Sequence, residues 1–390
     1  MTRGALDGFL VIDFTTTVAG PWCTRLLADN GARVVKIEAA GDGDLLRHAP
    51  PVHDGMSRTY AHFNAGKQSV SLNLKSPEGL DIAKRLIAKA DVMVENFRPG
   101  VMERLGLDYP VVKALNPGVV YCSISGYGQV GPLAGKGAYA PVVHALSGFD
   151  LIQARAQGAG SGPAVGSVMI ADPVAGAYAF GAIQTALLKR ARFGGGEHID
   201  VTLLESMMSL TAIQYQEAQN DPQLASALFE PLPTTDGHVM IPLVSLRTYL
   251  SVFPVIGRSQ WLMDPEFSTL RGVIKNRATV LAALRDWTTA RSADECERMM
   301  DAAGVPCSVY RTPAQMLDHP HLSARGTFAP MTDSKGPFAI LNAPFKLADG
   351  ACAAGTSVSR AGADTRAVVT QDLGVSEADF DRLMQAKAFG

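Results

Sequence analysis

Residues 168–192, VMIADPVAGAYAFGAIQTALLKRAR, decide the fold predicted for this chain. Four apolar residues lead into Asp172, Pro173 follows directly, and only two glycines interrupt the remainder. A proline in the first turn of a helix lacks an amide hydrogen that would have no partner there. The pattern therefore predicts a helix that begins at Asp172, with Asp172 as its N-cap. Small residues such as Ala175 and Gly176 allow close packing, so we expect this helix to be central and buried.

The carboxylate of Asp172 has two interpretations on this segment alone. It either caps the helix, which contributes about 1 kcal/mol of stability, or acts as a nucleophile. An aspartate has an ordinary pKa near 3.9, and helix amides would lower it further. We therefore expect Asp172 to be ionised at neutral pH without help from a neighbouring base.

The composition is that of a globular protein with two domains. The chain has 390 residues, of which 47% are hydrophobic and 18% charged, and its net charge of −2 gives no reason to expect nucleic acid or membrane as a partner. Its 5 cysteines are widely spaced and form no CxxC motif, which argues against a disulfide framework and a zinc site. No apolar run has the length of a signal or membrane-spanning segment. We expect a cytoplasmic protein without a metal ion.

Short β-rich runs alternate with helical patterns before the quoted segment. They lie at residues 9–14, 33–38, 68–74, 91–96 and 119–125. This alternation predicts a doubly wound α/β fold, whose ligand sites lie in loops beyond the carboxyl ends of the strands. GYGQVG at 126–131 matches a dinucleotide-binding pattern, but Pro132 follows where a helix should open, so we interpret it as a loop. His144, among apolar neighbours, is predicted to be buried and hydrogen-bonded.

The chain after the quoted segment suggests a second domain. Residues 216–235 are polar and contain prolines, which is typical of a linker. We expect a large domain over 1–215, a small α-rich domain over 236–317, and a return segment over 318–390 that completes the large domain.

Several longer motifs occur in order over nearly the whole chain. They are LDGFLVIDFTTTVAGPWCTRLLADNGARVVKIEAAGDGD, HFNAGKQSVSLNLK, ADVMVENFRPG, SISGYGQVGP, Asp172 before its helix, AAGVPCSVYRTP and DHPHLSARGTF. In these motifs the chain resembles the class III coenzyme A transferases, the CaiB/BaiF family, which also contains acyl-CoA racemases. The resemblance implies a Rossmann-like large domain with a parallel sheet, a smaller inserted α+β domain, and an interlocked homodimer of ring-shaped subunits.

The resemblance also assigns residues. Asp172 matches the aspartate that forms an acyl anhydride and then a thioester with CoA. The positions matched to contacts with CoA or its acyl group are Thr17, Val18, Leu72, Lys75, Asn96, Phe97, Arg104 and Tyr139. Cationic side chains suit the phosphates of CoA, which would be a substrate and not a tightly bound cofactor.

The predicted activity is transfer of CoA from an acyl-CoA to a carboxylic acid. An α-methylacyl-CoA racemase is the alternative, and it needs two acid/base groups beside the α-carbon. The family's racemase histidine falls at Tyr139, and a phenol is a poor base at neutral pH, so only His144 supports this alternative. A CoA-binding protein without turnover is a third hypothesis, against which the intact Asp172 argues.

Three departures from the family concern the acceptor acid. The glycine-rich loop of formyl-CoA:oxalate transferases is replaced by IPLVSLRTYLS at 241–251. A common arginine after the second strand is Ala39, and a glutamine of the first loop is Val18. The resemblance therefore argues against oxalate and favours a larger or less polar acid.

Overall fold

The computed structural model describes residues 3–156, 162–219 and 229–389. The chain divides into two compact units. The first, the large unit, contains Met1–Ala154, Gly160–Asn220 and His321–Gly390. The second, the small unit, contains Arg155–Ala159 and Asp221–Pro320.

The large unit is built on a parallel sheet. The strands of its first part are β1 Leu10–Asp13, β2 Arg33–Ala39, β3 Val52–His53, β4 Met56–Ser57, β5 Gln68–Leu72, β6 Val92–Glu95, β7 Val120–Ser125 and β8 Glu197–Thr202. Within the described residues, a 6-stranded sheet has the order β5-β2-β1-β6-β7-β8, and β3 pairs with β4 separately. The order reverses between β1 and β6, where doubly wound folds bind ligands. The predicted α/β class with a parallel sheet is confirmed.

Helices cover both faces of this sheet. They are α1 Ala19–Asp29, α2 Arg58–Asn64, α3 Pro77–Ile87, α4 Val101–Arg104, α5 Tyr109–Leu115, α6 Ala140–Leu146, α7 Phe149–Ala156, α8 Ala171–Phe193, α9 Leu203–Leu210 and α10 Ala212–Glu217. Because side chains alternate along a strand, Val11 enters the core beneath α1 and α8, whereas Ile12 enters the core beneath α3. No helix in the described ranges is long and apolar enough to cross a membrane.

The small unit combines a short antiparallel sheet with helices. Its elements are β9 Leu232–Pro233, β10 His238–Met240, α11 Leu246–Val255, α12 Leu270–Lys275, α13 Arg277–Thr289, α14 Ala293–Ala302, β11 Ser308–Val309 and α15 Pro313–Leu317. Tyr249, Phe253 and Trp287 contribute to its core. Residues 220–228 of the predicted linker lie outside the described residues. At the far end of the predicted linker, Leu232 is buried and pairs with Val239.

The last segment of the chain packs on the large unit. Its elements are α16 Pro320–Ala324, β12 Phe328–Asp333, β13 Gly336–Leu341, α17 Thr365–Ala367 and α18 Glu377–Gln385. Asp364 accepts a hydrogen bond from the Ser69 amide at 2.7 Å, and the Asn73 amide donates to the Ala388 carbonyl at 2.8 Å. The edge strand β5 is thereby covered, which protects its free backbone groups from pairing with another chain.

Candidate active site

The start of α8 differs from its prediction. The helix begins at Ala171 with Ile170 as its N-cap, so Asp172 lies in the first turn. The prediction that Asp172 is the N-cap is therefore wrong. Instead, Nε2 of His144 accepts a hydrogen bond from the Ala171 amide at 3.2 Å and satisfies one of the free amides of the first turn. His144 is buried, so its predicted buried, hydrogen-bonded state is confirmed.

The packing of α8 places Asp172 beside the start of α1. A Cβ atom on Gly176 would lie 2.5 Å from the carbonyl oxygen of Ala19, so only glycine permits this contact. Asp172 is four residues earlier on the same helix, and residues so spaced share a face. The opposite face is not buried within the chain, since Tyr178 and Leu188 are 51% and 60% exposed. The expectation that α8 is central and buried is confirmed for the face towards α1 and is wrong for the opposite face.

The electrostatic environment of Asp172 also differs from the prediction. Burial raises its pKa to about 6, and the hydrogen bond from its own backbone amide opposes this only in part. The expected lowering is wrong because withdrawal from water outweighs the helix amides. Within the described residues, no ion pair or side-chain hydrogen bond joins Asp172 to another group. At neutral pH the result is a mainly ionised carboxylate with little solvation, paired with no cation of the described side chains.

The loop between β1 and α1 is held from two sides. Asn96 exchanges two hydrogen bonds with the backbone of Thr16, at 2.9 and 2.8 Å. The carboxylate of Asp44 accepts from the Thr17 amide at 3.1 Å, and Thr17 has a left-handed φ of 64°. Among the described residues, the amides of Val18 and Ala19 have no hydrogen-bond acceptor. The start of α1 therefore presents free donors next to the turn that carries Asp172.

Some residues matched to CoA contacts are largely hidden. The side chains of Val18 and Leu72 are buried, that of Leu72 in the core beneath α3, so both residues can offer a ligand only their backbone. Phe97 is half-buried and packs against the same core as Leu72. The side-chain oxygen of Asn96 accepts from the Thr16 amide and its side-chain nitrogen donates to the Thr16 carbonyl, so Asn96 fixes the loop in this structure.

The remaining matched residues are exposed at the same edge of the sheet. Lys75 follows the end of β5, and Arg104 ends α4 in the connection after β6. Tyr139 is the N-cap of α6 and is 68% exposed. Since carboxyl ends of parallel strands meet at one edge, these connections and the first turn of α8 border a common region.

Sequence reasoning did not identify Lys36 and Asp44, which shape the first loop, or the cationic side chain of Arg98. Lys36 and Asp44 form a buried ion pair with a nitrogen–oxygen distance of 3.0 Å. A lysine inside the apolar strand β2 was the available signal, since a lysine is almost never fully buried without a partner. Arg98 lies against Gly137, where a Cβ atom would be 2.7 Å from the guanidinium, so the glycine makes room for this side chain. Of the described residues, no group of three or more His, Cys, Asp or Glu is arranged to hold a metal ion.

Comparison with known proteins identifies the family. Residues 6–365 match the model of CoA-transferase family III. The chain is 34% identical to an acetyl-CoA:oxalate CoA-transferase of Acetobacter aceti, over 83% of this chain and 85% of that protein. It is 32% identical to a succinate–glutarate CoA-transferase of Agrobacterium fabrum, over 82% and 84% of the two chains.

Solved structures show the same fold. A CaiB/BaiF family protein from Brucella suis superposes with a TM-score of 0.80 and 29% identity, covering 95% of this chain and 100% of that one. The protein Rv3272 from Mycobacterium tuberculosis gives a TM-score of 0.83 and 27% identity, over 94% and 99% of the two chains. The predicted resemblance is confirmed.

Proposed function

From the premise that the chain belongs to CoA-transferase family III and is an enzyme of that class, we propose that it moves CoA through covalent intermediates on Asp172. CoA passes from a donor acyl-CoA to a carboxylic acid. The observation that carries the proposal is the unpaired carboxylate of Asp172, on the face of α8 that packs against the start of α1. A carboxylate so placed is an active nucleophile without a partner base.

The reaction consists of four displacements. Asp172 attacks the thioester carbonyl of the donor, which forms an acyl anhydride and releases CoA thiolate. The thiolate attacks the aspartyl carbonyl of that anhydride, which releases the donor acid and leaves CoA on Asp172 as a thioester. The acceptor carboxylate attacks the carbonyl of this thioester, which forms a second anhydride and again releases CoA thiolate. The thiolate then attacks the acyl carbonyl of that anhydride, which forms the new acyl-CoA. The carboxylate of Asp172 is restored, and no net proton is transferred.

Two sets of groups would support these steps. The amides of Val18 and Ala19 are candidate donors to the oxyanion formed at each attacked carbonyl, because they are fixed before the reaction and unpaired. Lys75 and Arg104 would bind the phosphates of CoA through charge-assisted hydrogen bonds.

Chemical trapping tests the assignment of the nucleophile. The enzyme is incubated with succinyl-CoA and then with hydroxylamine or borohydride, both of which convert an aspartyl thioester into a stable product. Peptide mass mapping should place the modification on Asp172 alone. A modification at another residue, or none under conditions of turnover, contradicts the proposal.

The racemase alternative loses its main support in the structure. His144 is buried, and its Nε2 atom accepts the hydrogen bond of the Ala171 amide. That nitrogen is therefore not free to remove a proton from a substrate. Incubation in deuterium oxide distinguishes the two activities, because a racemase introduces deuterium at the α-carbon and a transferase does not.

The acceptor is proposed to be a carboxylic acid less polar than oxalate. This rests on Val18 and Ala39, which stand where the sequence comparison expects polar groups. Related proteins are named for oxalate and for glutarate, so the acceptor varies within the family. Rates of CoA transfer from succinyl-CoA to a panel of acids, with oxalate and glutarate included, test this proposal.

We further propose that the small unit is the family's inserted domain and that the protein forms the interlocked homodimer. Exposed apolar side chains on α8 to α10 support an association with a second copy. They include Tyr178, Leu188, Phe193, Leu210 and Ile213. Sedimentation should give a dimer, and mixed labelled and unlabelled dimers should not exchange subunits at nanomolar concentration. A freely exchanging monomer contradicts the interlocked arrangement.

A further inference from the structure

The first loop rests on a buried pair of charges contributed by β2 and the segment directly after it. Lys36, in the middle of β2, donates to the Thr15 carbonyl at 2.6 Å and pairs with Asp44 at 3.0 Å. The side chains of Lys36 and Asp44 are 1% and 0% exposed. Asp44 in turn accepts from the Thr17 amide with both oxygens, at 3.1 and 3.2 Å. The pair thus fixes the backbone on both sides of Thr16.

The conformation that this pair holds is strained. Thr17 has φ of 64°, and a β-branched residue is a rare occupant of the left-handed region. Such a conformation persists only where surrounding contacts impose it. Here it turns the chain so that α1 starts at the next two residues, Val18 as its N-cap and Ala19 as its first residue. Among the described residues, neither amide has a hydrogen-bond acceptor.

We propose that Lys36 and Asp44 are positioning residues for CoA transfer, which hold Thr17 left-handed and thereby aim the first amides of α1 at the reacting carbonyl. This inference rests on the proposed function of those amides. It assigns a role in the reaction to two side chains that are too deeply buried to touch substrate.

A simpler explanation for Asp44 is that it caps the 3₁₀ helix Leu45–His48, since it also accepts from the Leu46 amide at 3.0 Å. Asp264 provides a matched control, because it caps the 3₁₀ helix Pro265–Phe267 in the same way through the Glu266 amide at 2.9 Å. Asp264 belongs to the small unit, whereas the first loop belongs to the large unit. Asp44→Asn and Asp264→Asn therefore remove the same charge from the same kind of cap.

A double-mutant cycle between positions 44 and 17 tests the role in the reaction. Asp44→Asn should lower kcat/KM for succinyl-CoA by about tenfold or more, because Lys36 loses its ion-pair partner and the Thr17 amide loses its carboxylate acceptor. In a Thr17→Gly background the same change should lower kcat/KM by no more than about threefold, since glycine adopts a positive φ readily. Asp264→Asn should remain within about twofold of the parent. An equal loss in both backgrounds overturns the inference.

Amide hydrogen exchange provides a readout that does not depend on activity. The Thr17 amide in the peptide covering 14–22 should exchange about tenfold faster or more in Asp44→Asn and be unchanged in Asp264→Asn. Unchanged exchange in Asp44→Asn overturns the inference whatever the enzyme does. If the parent transfers no CoA at all, the proposed function fails, and the exchange result still decides whether Asp44 holds the loop.

Discussion

Two aspartates near the same edge of the sheet have opposite environments. Asp13 ends β1 and is fully buried, and it accepts hydrogen bonds from Lys67 at 3.0 Å and from Thr24 at 2.6 Å. Burial raises its pKa, but the charges of Lys67 and Lys36 and the hydroxyl groups overcome this and lower it to about 2. Asp172 is less buried, has no such partners, and has a pKa raised to about 6.

The difference shows which carboxylate is available for chemistry. Every hydrogen-bonding position of Asp13 serves the fold, and its charge is neutralised by lysines that are themselves buried. The charge of Asp172 is not neutralised by any described residue, so attack on a carbonyl relieves an unfavourable burial. If depth of burial were the only criterion for the nucleophile, Asp13 would be chosen. The lack of hydrogen-bonding and ionic partners among the described residues indicates Asp172 instead.

The largest effect should come from removing the nucleophile. Asp172→Asn keeps the size of the side chain but cannot form an anhydride, so CoA transfer should fall by about 10⁴-fold or more. Steady-state assays with succinyl-CoA and an accepted acid measure this. Thermal unfolding at pH 8 should show a variant at least as stable as the parent, since a poorly solvated charge is lost. Near-parental activity would show that Asp172 is not the nucleophile.

Removing the charge of Asp13 should instead damage the fold. Asp13→Asn leaves Lys67 buried without a counter-charge, and breaking a buried pair in this way costs about 3–5 kcal/mol of the free energy of unfolding. Urea titrations provide the measurement. Asp7→Asn is the control, because Asp7 belongs to an exposed pair and its loss should change stability by less than about 1 kcal/mol. Equal effects at the two positions would remove the contrast drawn here.

Arg104 and Lys75 should bind the phosphates of CoA through charge-assisted hydrogen bonds. Arg104→Ala should weaken binding of an acyl-CoA by roughly 1.5–3 kcal/mol, or about 10- to 100-fold, and Lys75→Ala should also weaken it. Calorimetric titration at low salt measures the affinity. Lys335→Ala changes an exposed cation in the turn between β12 and β13 and should have no effect. Unchanged affinity in both Arg104 and Lys75 variants would exclude them from the site.

The two aspartates should also respond to pH in opposite ways. The pKa of Asp172 is higher in the folded than in the unfolded state, so its ionisation destabilises the fold as pH rises from about 4 through 6. Asp172→Asn should therefore gain stability relative to the parent over this interval, by about 1–2 kcal/mol after allowance for its partial exposure. The pKa of Asp13 is lowered, so its contribution is present above about 4 and is lost as pH falls towards 2.

Urea titrations of the parent and the two Asn variants across this pH range measure both effects. In the same interval, transfer activity should fall about tenfold per pH unit below 6 as Asp172 becomes protonated. A rate independent of pH between 4 and 6 would contradict the raised pKa of Asp172.

Local sequence patterns predicted what local interactions determine. The start of α3 is one example, since the residue types of Ser76 and Pro77 are typical of a helix start and the Ser76 hydroxyl accepts a hydrogen bond from the Gly79 amide at 3.0 Å. The five strand predictions before Asp172 each correspond to a strand of the parallel sheet. The loop interpretation of 126–131 is also confirmed, since the next helix begins at Ala140.

The failures have non-local causes. The sequence pattern at Asp172 is that of an N-cap, but the amide of Ala171 is satisfied by His144, 27 residues away. Thr17 and Asp44, which also share a hydrogen bond, are likewise 27 residues apart in the sequence. The pKa of Asp172 depends on the burial that α8 acquires only when it packs against α1. None of these partners can be identified from spacing in a single sequence, because each pair meets only after the sheet is assembled.

The hydrogen bond from the Ala171 amide to Nε2 of His144 links α6 to the first turn of α8. Tyr139 stands exposed at the first end of α6, and His144 in its last turn holds the first residue of α8. Only the length of α6, 7 residues from Ala140 to Leu146, separates these two contacts. The exposed Tyr139 and the turn that carries Asp172 are therefore connected through one short helix and one hydrogen bond.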